Sequence, residues 1–254
     1  MLMEIAPAAG CTSGTCSVEH PKDKCVTFVR NAKYLPGLVR RLVEEEIRTI
    51  LIICPEDIHE VEVPYVLKYP LGVCLYRTKY VDYEFTQYHN EWWAYKDVSE
   101  VRPVGCKIHP SAVIDEGIRV ATGPDGTKLQ LRHVGTVIFG KDVYIGPLTL
   151  IERGCIDSTI IGNNVKIDGR CCVGHNSVIG DNTVMATGAT VGGSAKIGKD
   201  CWLGLDCTIR NGVSICDKVI VGMRAGVVKD ITESGIYMGT PAKYYGPYVD
   251  GWNF

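Results

Sequence analysis

The chain is expected to be mainly β: a three-sided parallel β-solenoid of about six coils behind a small α/β domain. Three observations predict it. An aliphatic residue recurs at every sixth position: Ile161, Ile167, Val173, Ile179, Met185, Val191, Ile197, Leu203, Ile209, Ile215, Val221 and Val227. The residue that follows is usually small, as at Gly162, Gly174, Gly180, Ala186, Gly192, Gly198, Gly204 and Gly222. Two positions before each aliphatic stands another compact residue, among them Val165, Cys171, Ser177, Thr183, Ala189, Ala195, Cys201 and Cys207. A period of six is neither the ~3.6 of a helix nor the ~2 of a simple strand. Each hexad makes one flat face, and three hexads close one coil.

Taken in order, residues 1–104 stand outside the repeat. Leu35 to Arg48 has helical spacing in Leu35, Leu38 and Leu42, with Glu44–Glu46 exposed, and Thr49-Ile50-Leu51-Ile52-Ile53 is a buried-strand run. Pro70-Leu71-Gly72-Val73 and the aromatic stretch Tyr88 to Tyr95 predict further short elements. No GxGxxG follows a strand, so a dinucleotide fold is not supported. The solenoid domain is placed at 105–232. Ile108, Ile114 and Val120 predict its first three hexads. The polar stretch Ala121 to His133, holding Gly123-Pro124-Asp125-Gly126, reads as a loop insertion (121–133) thrown out of the coils. Loops of that length usually serve a ligand or a partner. Phe139, Ile145 and Ile151 resume the six-residue step, and the wider gap to Ile161 predicts four extra residues bulging out around Gly154 to Thr159. After Val227, Gly239-Thr240-Pro241-Ala242-Lys243 leads into an irregular aromatic tail, 233–254.

A net charge of −2 over 254 residues gives no support for a nucleic-acid or acidic-membrane surface. No apolar run is long enough to span a membrane, and Met1 to Gly10 lacks the basic then apolar pattern of a secretory signal. Cys171, Cys201 and Cys207 fall in the compact inward slots, where cysteine acts as a small hydrophobe. The expectation is therefore reduced, structural thiols in a cytoplasmic protein. Cys11, Cys16 and Cys25 form the only other cluster of note, three sulfurs without a convincing fourth ligand for zinc.

A solenoid is a scaffold, so its chemistry must be sought at outward-facing corners. Of six histidines in the chain, one falls within the repeat from Val134 to Ile231, His175. It sits two places after Val173, in a corner. A single imidazole argues against a metalloenzyme built between coils, which needs several converging ligands. One coil on, about 4.8 Å away, stands Gly193, whose N–H could donate to an oxyanion forming beside His175. Asp168, on the preceding face of the same coil, is a candidate to orient the imidazole and stabilise its protonated form.

These residues carry a resemblance. The hexads look like those of the left-handed β-helix acyltransferases, whose left-handed parallel β-helix departs from the usual right-handed crossover. Val165-Lys166-Ile167-Asp168, then Gly174-His175-Asn176-Ser177-Val178-Ile179-Gly180-Asp181-Asn182-Thr183, resembles the UDP-3-O-acylglucosamine N-acyltransferases. Ile151-Glu152-Arg153-Gly154 and Gly192-Gly193-Ser194-Ala195-Lys196-Ile197-Gly198 extend the likeness. It implies His175 as general base, Asp168 as its assistant and the Gly193 amide as oxyanion donor. Thr27-Phe28-Val29-Arg30-Asn31-Ala32-Lys33-Tyr34 is similar to the family segment that grips uracil, which implies that Phe28 and Tyr34 sandwich the base and Asn31 reads its edge. An N-cap role for Asn31 fits the same residues.

The likeness fails at both ends. Met1–Lys24 resembles nothing in those enzymes, and their carrier-protein-docking helices have no room after Ile231. Gly239-Thr240-Pro241-Ala242-Lys243 instead resembles the closing motif of solenoid acetyltransferases that use acetyl-CoA, implying Lys243 near the coenzyme phosphates and Gly192 and Gly193 beside it. The resemblance thus implies an N-acetyltransferase acting on the amine of a UDP-linked amino sugar, without metal or covalent intermediate, in a homotrimer with the donor between subunits. A longer acyl group from acyl carrier protein is the alternative, though no extended apolar groove or docking helix is legible. A non-catalytic scaffold is the other; it has no use for Asp168, His175 and Gly193 together.

Overall fold

The computed structural model describes residues 13–17, 19–58, 72–93, 106–116 and 120–248. Cys11, Pro70-Leu71, Tyr95 and the final aromatic residues lie outside them. Two compact units divide the chain, Met1–Asp97 with Ile118–Arg132, and Val98–Gly117 with His133–Phe254.

The first unit holds a three-stranded parallel sheet in chain order, Cys25–Phe28, Thr49–Cys54 and Gly72–Arg77. The helix Leu35–Glu44 crosses between the first two strands and buries Leu35, Leu38, Val39 and Leu42. Its helical spacing runs to Arg48, but the helix stops earlier, at a Schellman cap. Glu46 takes a left-handed φ of 53°, and the Ile47 and Glu46 amides donate to the carbonyls of Leu42 and Val43. Ile47 and Leu42 are both buried at that joint. The helix Val81–Trp93 adds Phe85 and Tyr88 to the interior. His89 is a satisfied core histidine, bonded to the Thr15 hydroxyl at 2.8 Å and the Arg132 carbonyl at 2.9 Å.

The second unit is the solenoid. Its first face stacks Lys107–Ile108, Tyr144–Ile145, Lys166–Ile167, Val184–Met185, Trp202–Leu203, Val219–Val221 and Gly235–Met238 in parallel, closed by antiparallel Lys243–Gly246. Its second face runs from Val113–Glu116 through Leu150–Arg153, Cys172–Val173, Thr190–Val191 and Thr208–Ile209 to Gly226–Val227. Its third runs from Val137–Phe139 through Thr159–Ile161, Val178–Ile179 and Lys196–Ile197 to Ser214–Ile215. The regular step is eighteen residues, as in Ile167 on Met185 and Val173 on Val191. Every aliphatic from Ile161 to Val227 in the six-residue series is at most 3 % exposed. At roughly 1.5–3 kcal/mol for each large aliphatic side chain buried, this column is the main source of the unit's stability.

Two interruptions break this regularity. Of the rungs expected at Ile108, Ile114 and Val120, the first two form. Val120 instead opens an antiparallel hairpin, Val120–Thr122 with Lys128–Gln130, and is 47 % exposed. It pairs across the hairpin with Gln130, so it has no parallel neighbour to make it a rung. The stretch predicted as bare loop therefore carries secondary structure, pinned by the Gly123–Thr127 turn. The second interruption is the four-residue bulge, visible in the register of Phe139 on Ile161 and Ile151 on Val173. Both excursions leave the solenoid at one corner, between the second and third faces.

Candidate active site

His175 occupies that same corner, one coil beyond the bulge. Gly174-His175-Asn176-Ser177 is a tight turn closed from the Ser177 N–H to the Gly174 carbonyl, with Asn176 at a φ of 60°. A type II turn asks for Gly or Asn at that position. Asn176 serves a second purpose, because both ends of its amide are fixed. Its Nδ2 donates to the Asp157 carbonyl at 2.9 Å, and its Oδ1 accepts the Cys155 N–H at 3.0 Å. Oδ1 therefore faces His175 Nδ1, 3.1 Å away. An amide oxygen only accepts, so Nδ1 carries the proton of the neutral ring and Nε2 presents a bare lone pair.

That lone pair lies over Gly193. A β-carbon there would stand 2.7 Å from His175 Nε2 and 2.8 Å from Cε1, so only glycine lets the ring and the next coil share this space. The two coils are tied where they meet, the Ser194 N–H donating to the His175 carbonyl at 2.7 Å. At the corner between the third and first faces, the equivalent amides of Asn163 and Lys199 are taken by Asp181 and Asp217. The amide of His175 itself is taken by Glu152 Oε2 at 3.0 Å. The Gly193 N–H forms no hydrogen bond among the described residues. A base with a free lone pair thus stands beside an unused amide donor.

Asp168 is elsewhere. It lies at the corner between the first and second faces, where the Thr187 hydroxyl and the Gly169 N–H donate to its carboxylate. Those bonds, the Thr187 one foremost, hold its carboxyl below the usual carboxylate range. Within the described residues of the chain it makes no hydrogen bond to His175, because seven residues span one whole face and place the two groups at successive corners. Asn176 fixes the imidazole instead. Asp168 lines a groove of about 390 Å³ with Lys166, Val184, Trp202, Leu205 and Met223, an apolar feature not legible in the sequence.

Gly192 stands beside Gly193 in the turn after Thr190–Val191, its N–H donating to the Ile209 carbonyl. Lys243 is exposed on the closing strand at the far end of the first face. In the first unit, Phe28 and Tyr34 border one pocket of about 390 Å³ together with Arg30, Lys33 and Arg41. Phe28 packs on Phe85 with ring centroids 4.4 Å apart, while Tyr34 is exposed, with the Lys33 ammonium 4.9 Å from its ring centroid. Asn31 caps the short turn Ala32–Tyr34, its Oδ1 accepting the Lys33 N–H at 3.0 Å. The capping role is the one seen.

Sequence reasoning missed His133 and Cys155. His133 lies one residue before the window in which His175 is the sole histidine, and Cys155 sits in the irregular bulge. Both are buried, Cys155 Sγ lying 3.3 Å from His133 Nε2 and 3.4 Å from His175 Nδ1. The signal was available only as topology, since both excursions leave at the corner of His175. Among the described residues no group of three or more His, Cys, Asp or Glu is arranged to hold a metal ion.

Two family models match the solenoid: "Bacterial transferase hexapeptide (six repeats)" over residues 158–193, and "Hexapeptide repeat of succinyl-transferase" over 194–228. Residues 158–228 are hexapeptide repeats of the bacterial transferase type. The hexapeptide coils are those of a left-handed β-helix. Among solved structures, a UDP-N-acetylglucosamine acyltransferase is 23 % identical with a TM-score of 0.50. The match covers 56 % of this chain and 53 % of that one, about half its length. PerB from Caulobacter crescentus, in complex with CoA and GDP-perosamine, is 19 % identical over 87 % of this chain and 97 % of its own, at a TM-score of 0.45. The acetyltransferase domain of PglB from Neisseria gonorrhoeae is 16 % identical over 87 % and 99 %, at 0.44. The first of these likenesses, at a TM-score of 0.50, speaks to the fold alone. No helix among the described residues is long and apolar enough to cross a membrane.

Proposed function

We propose that the protein is a cytoplasmic N-acetyltransferase that moves an acetyl group from acetyl-CoA to the amine of a UDP-linked amino sugar. The observation that carries the reading is His175 Nε2, proton-free by the Asn176 contact, set over Gly193 with its unused amide. The amine nitrogen attacks the thioester carbonyl and the new C–N bond forms as Nε2 takes the amine proton. The Gly193 N–H stabilises the tetrahedral oxyanion. Collapse breaks the C–S bond, and the imidazolium returns its proton to the departing thiolate, leaving CoA thiol and the acetamido sugar. The steps as written require neither a protein nucleophile nor a metal. Phe28 and Tyr34 hold the uracil, with Asn31 at the edge of the same site, and Lys33 supplies positive charge for the diphosphate. Gly192 and Gly193 flank the donor, Lys243 serves its phosphates, and Asp168 is a fixed negative charge in the donor groove of a homotrimer.

The apolar groove favours a second reading, a longer acyl group, since Val184, Trp202, Leu205 and Met223 offer more surface than an acetyl group needs. The test is thiol release from acetyl-CoA with a panel of UDP- and dTDP-amino sugars, wild type against His175→Ala. The expected result is turnover of a UDP sugar that His175→Ala lowers by about 10²–10⁴. Turnover confined to dTDP sugars removes the uracil site and leaves the chemistry. Turnover with long acyl donors alone establishes the second reading.

A further inference from the structure

The two buried groups behind His175 have a chemistry of their own. His133 Nδ1 lies 3.2 Å from the Arg153 carbonyl. A carbonyl only accepts, so Nδ1 carries the hydrogen of the neutral ring, and Nε2 is an acceptor. Its partner there is Cys155 Sγ at 3.3 Å, so the thiol hydrogen points at His133. The sulfur lone pairs then face His175 Nδ1–H at 3.4 Å, beside the Asn176 Oδ1 contact. The hydrogens of all three groups thus run one way, from His175 through Cys155 to His133 and on to the Arg153 carbonyl. The two rings stand edge to face with centroids 5.5 Å apart. The chain passes from a half-buried imidazole to a thiol and a ring that are 1 % and 0 % exposed.

We infer that Cys155 and His133 are positioning residues that form a proton relay behind His175, sharing the charge it acquires as a base. The inference rests on the reading of His175 as general base. When Nε2 gains a proton from the amine, the Nδ1–H bond breaks and its proton goes to Sγ, while the S–H proton goes to His133 Nε2. Atoms and charge balance: one proton has entered at His175 and one positive charge stands on His133, whose Nδ1–H strengthens its bond to the Arg153 carbonyl. No oxidant or other reactant takes part. Among the described residues, charged neighbours include Glu152, whose carboxylate accepts the backbone N–H of His175 at 3.0 Å, and Arg153, whose Nε donates to the Gly135 carbonyl at 2.7 Å. Asp157 contributes its backbone carbonyl, through Asn176. Removing His133 takes away the second base over which the incoming charge is shared.

The test has two readouts that fail separately. Nitrogen-15 NMR titration of the histidines in the full-length protein needs no turnover. In wild type, His133 and His175 are expected to titrate in two shared macroscopic steps. Cys155→Ser keeps that coupling, because a hydroxyl both donates and accepts. Cys155→Ala uncouples them. His133→Gln offers an amide oxygen to the thiol but no second base, and serves where Cys155→Ala does not fold. It is expected to move the acid limb of kcat/KM down by about one pH unit, with KM for the sugar unchanged. Independent titration of the two rings in wild type, or a His175 titration unaltered in both Cys155→Ala and His133→Gln, overturns the relay. So does an acyl group found by mass spectrometry as a thioester on Cys155, which would make the thiol a nucleophile. Coupled titration with no activity change in His175→Ala leaves the relay standing and removes the base reading.

Discussion

At Gly193 the space available is set by a ring belonging to the coil before it. A methyl group there meets His175 Nε2 at 2.7 Å, closer than any real contact, and the imidazole must swing away from its Asn176 acceptor. Gly193→Ala is therefore expected to lower kcat/KM on the order of 100-fold while thermal unfolding stays close to wild type, because the collision is with a side chain on the surface of a corner. Calorimetry alongside steady-state kinetics checks this; a loss of stability matching the loss of rate would make Gly193 a packing residue. Asp168 belongs to a different corner and a different task. Removing its charge in Asp168→Asn is expected to raise KM for the acyl donor several-fold and to leave kcat largely intact, measured by varying acetyl-CoA at saturating sugar. A collapse of kcat would restore it to the chemistry.

The hexad, as an element, explains both the regularity of the solenoid and the chemistry of its thiols. Each rung buries one aliphatic and one compact residue, and three of the compact ones are cysteines. Burial raises the Cys171 and Cys201 thiols to about 11 and Cys207 to about 12, from 9.0. A group whose proton is held more tightly in the folded state contributes stability in full below its unfolded value, and that contribution is lost as pH rises toward the folded value. The solenoid is therefore expected to lose stability from pH 9 upward, and a variant with all three cysteines changed to alanine should show a flatter profile. Urea midpoints on either side of that pH read the difference. At another corner, Asn164, Asn182 and Asp200 form a ladder of side-chain bonds, 3.1 and 3.0 Å, between residues eighteen apart. Such ladders hold neighbouring coils in register where the strands are only two residues long.

For the whole molecule, three exposed apolar residues of the solenoid share the corner between its first and second faces, with Leu148 66 %, Leu205 47 % and Met223 60 % exposed. Apolar surface gathered this way is commonly a contact face, and it agrees with the proposed homotrimer. Light scattering is expected to give three times the 27.9 kDa chain mass, and Leu205→Asp with Met223→Asp to reduce it; a monomeric wild type would end the trimer. The sequence by itself determined the solenoid, its inward slots, the bulge after Ile151 and the candidacy of His175. Periodicity is local, and a stack of identical coils turns a local pattern directly into a three-dimensional one. Phe28 and Tyr34, singled out by the resemblance, border one pocket, while Asn31, open to two roles on paper, is seen as a cap. Only the tertiary structure decided which corner each residue occupies. Asp168 and His175, seven residues apart, fall on different corners, whereas His133, Cys155 and His175, separated by 22 and 20 residues, meet at one. The reason is geometric: a solenoid joins residues that differ by whole coils and separates those that differ by one face. The lengths of the two irregular excursions, which set those differences, carry no periodic signal to be read.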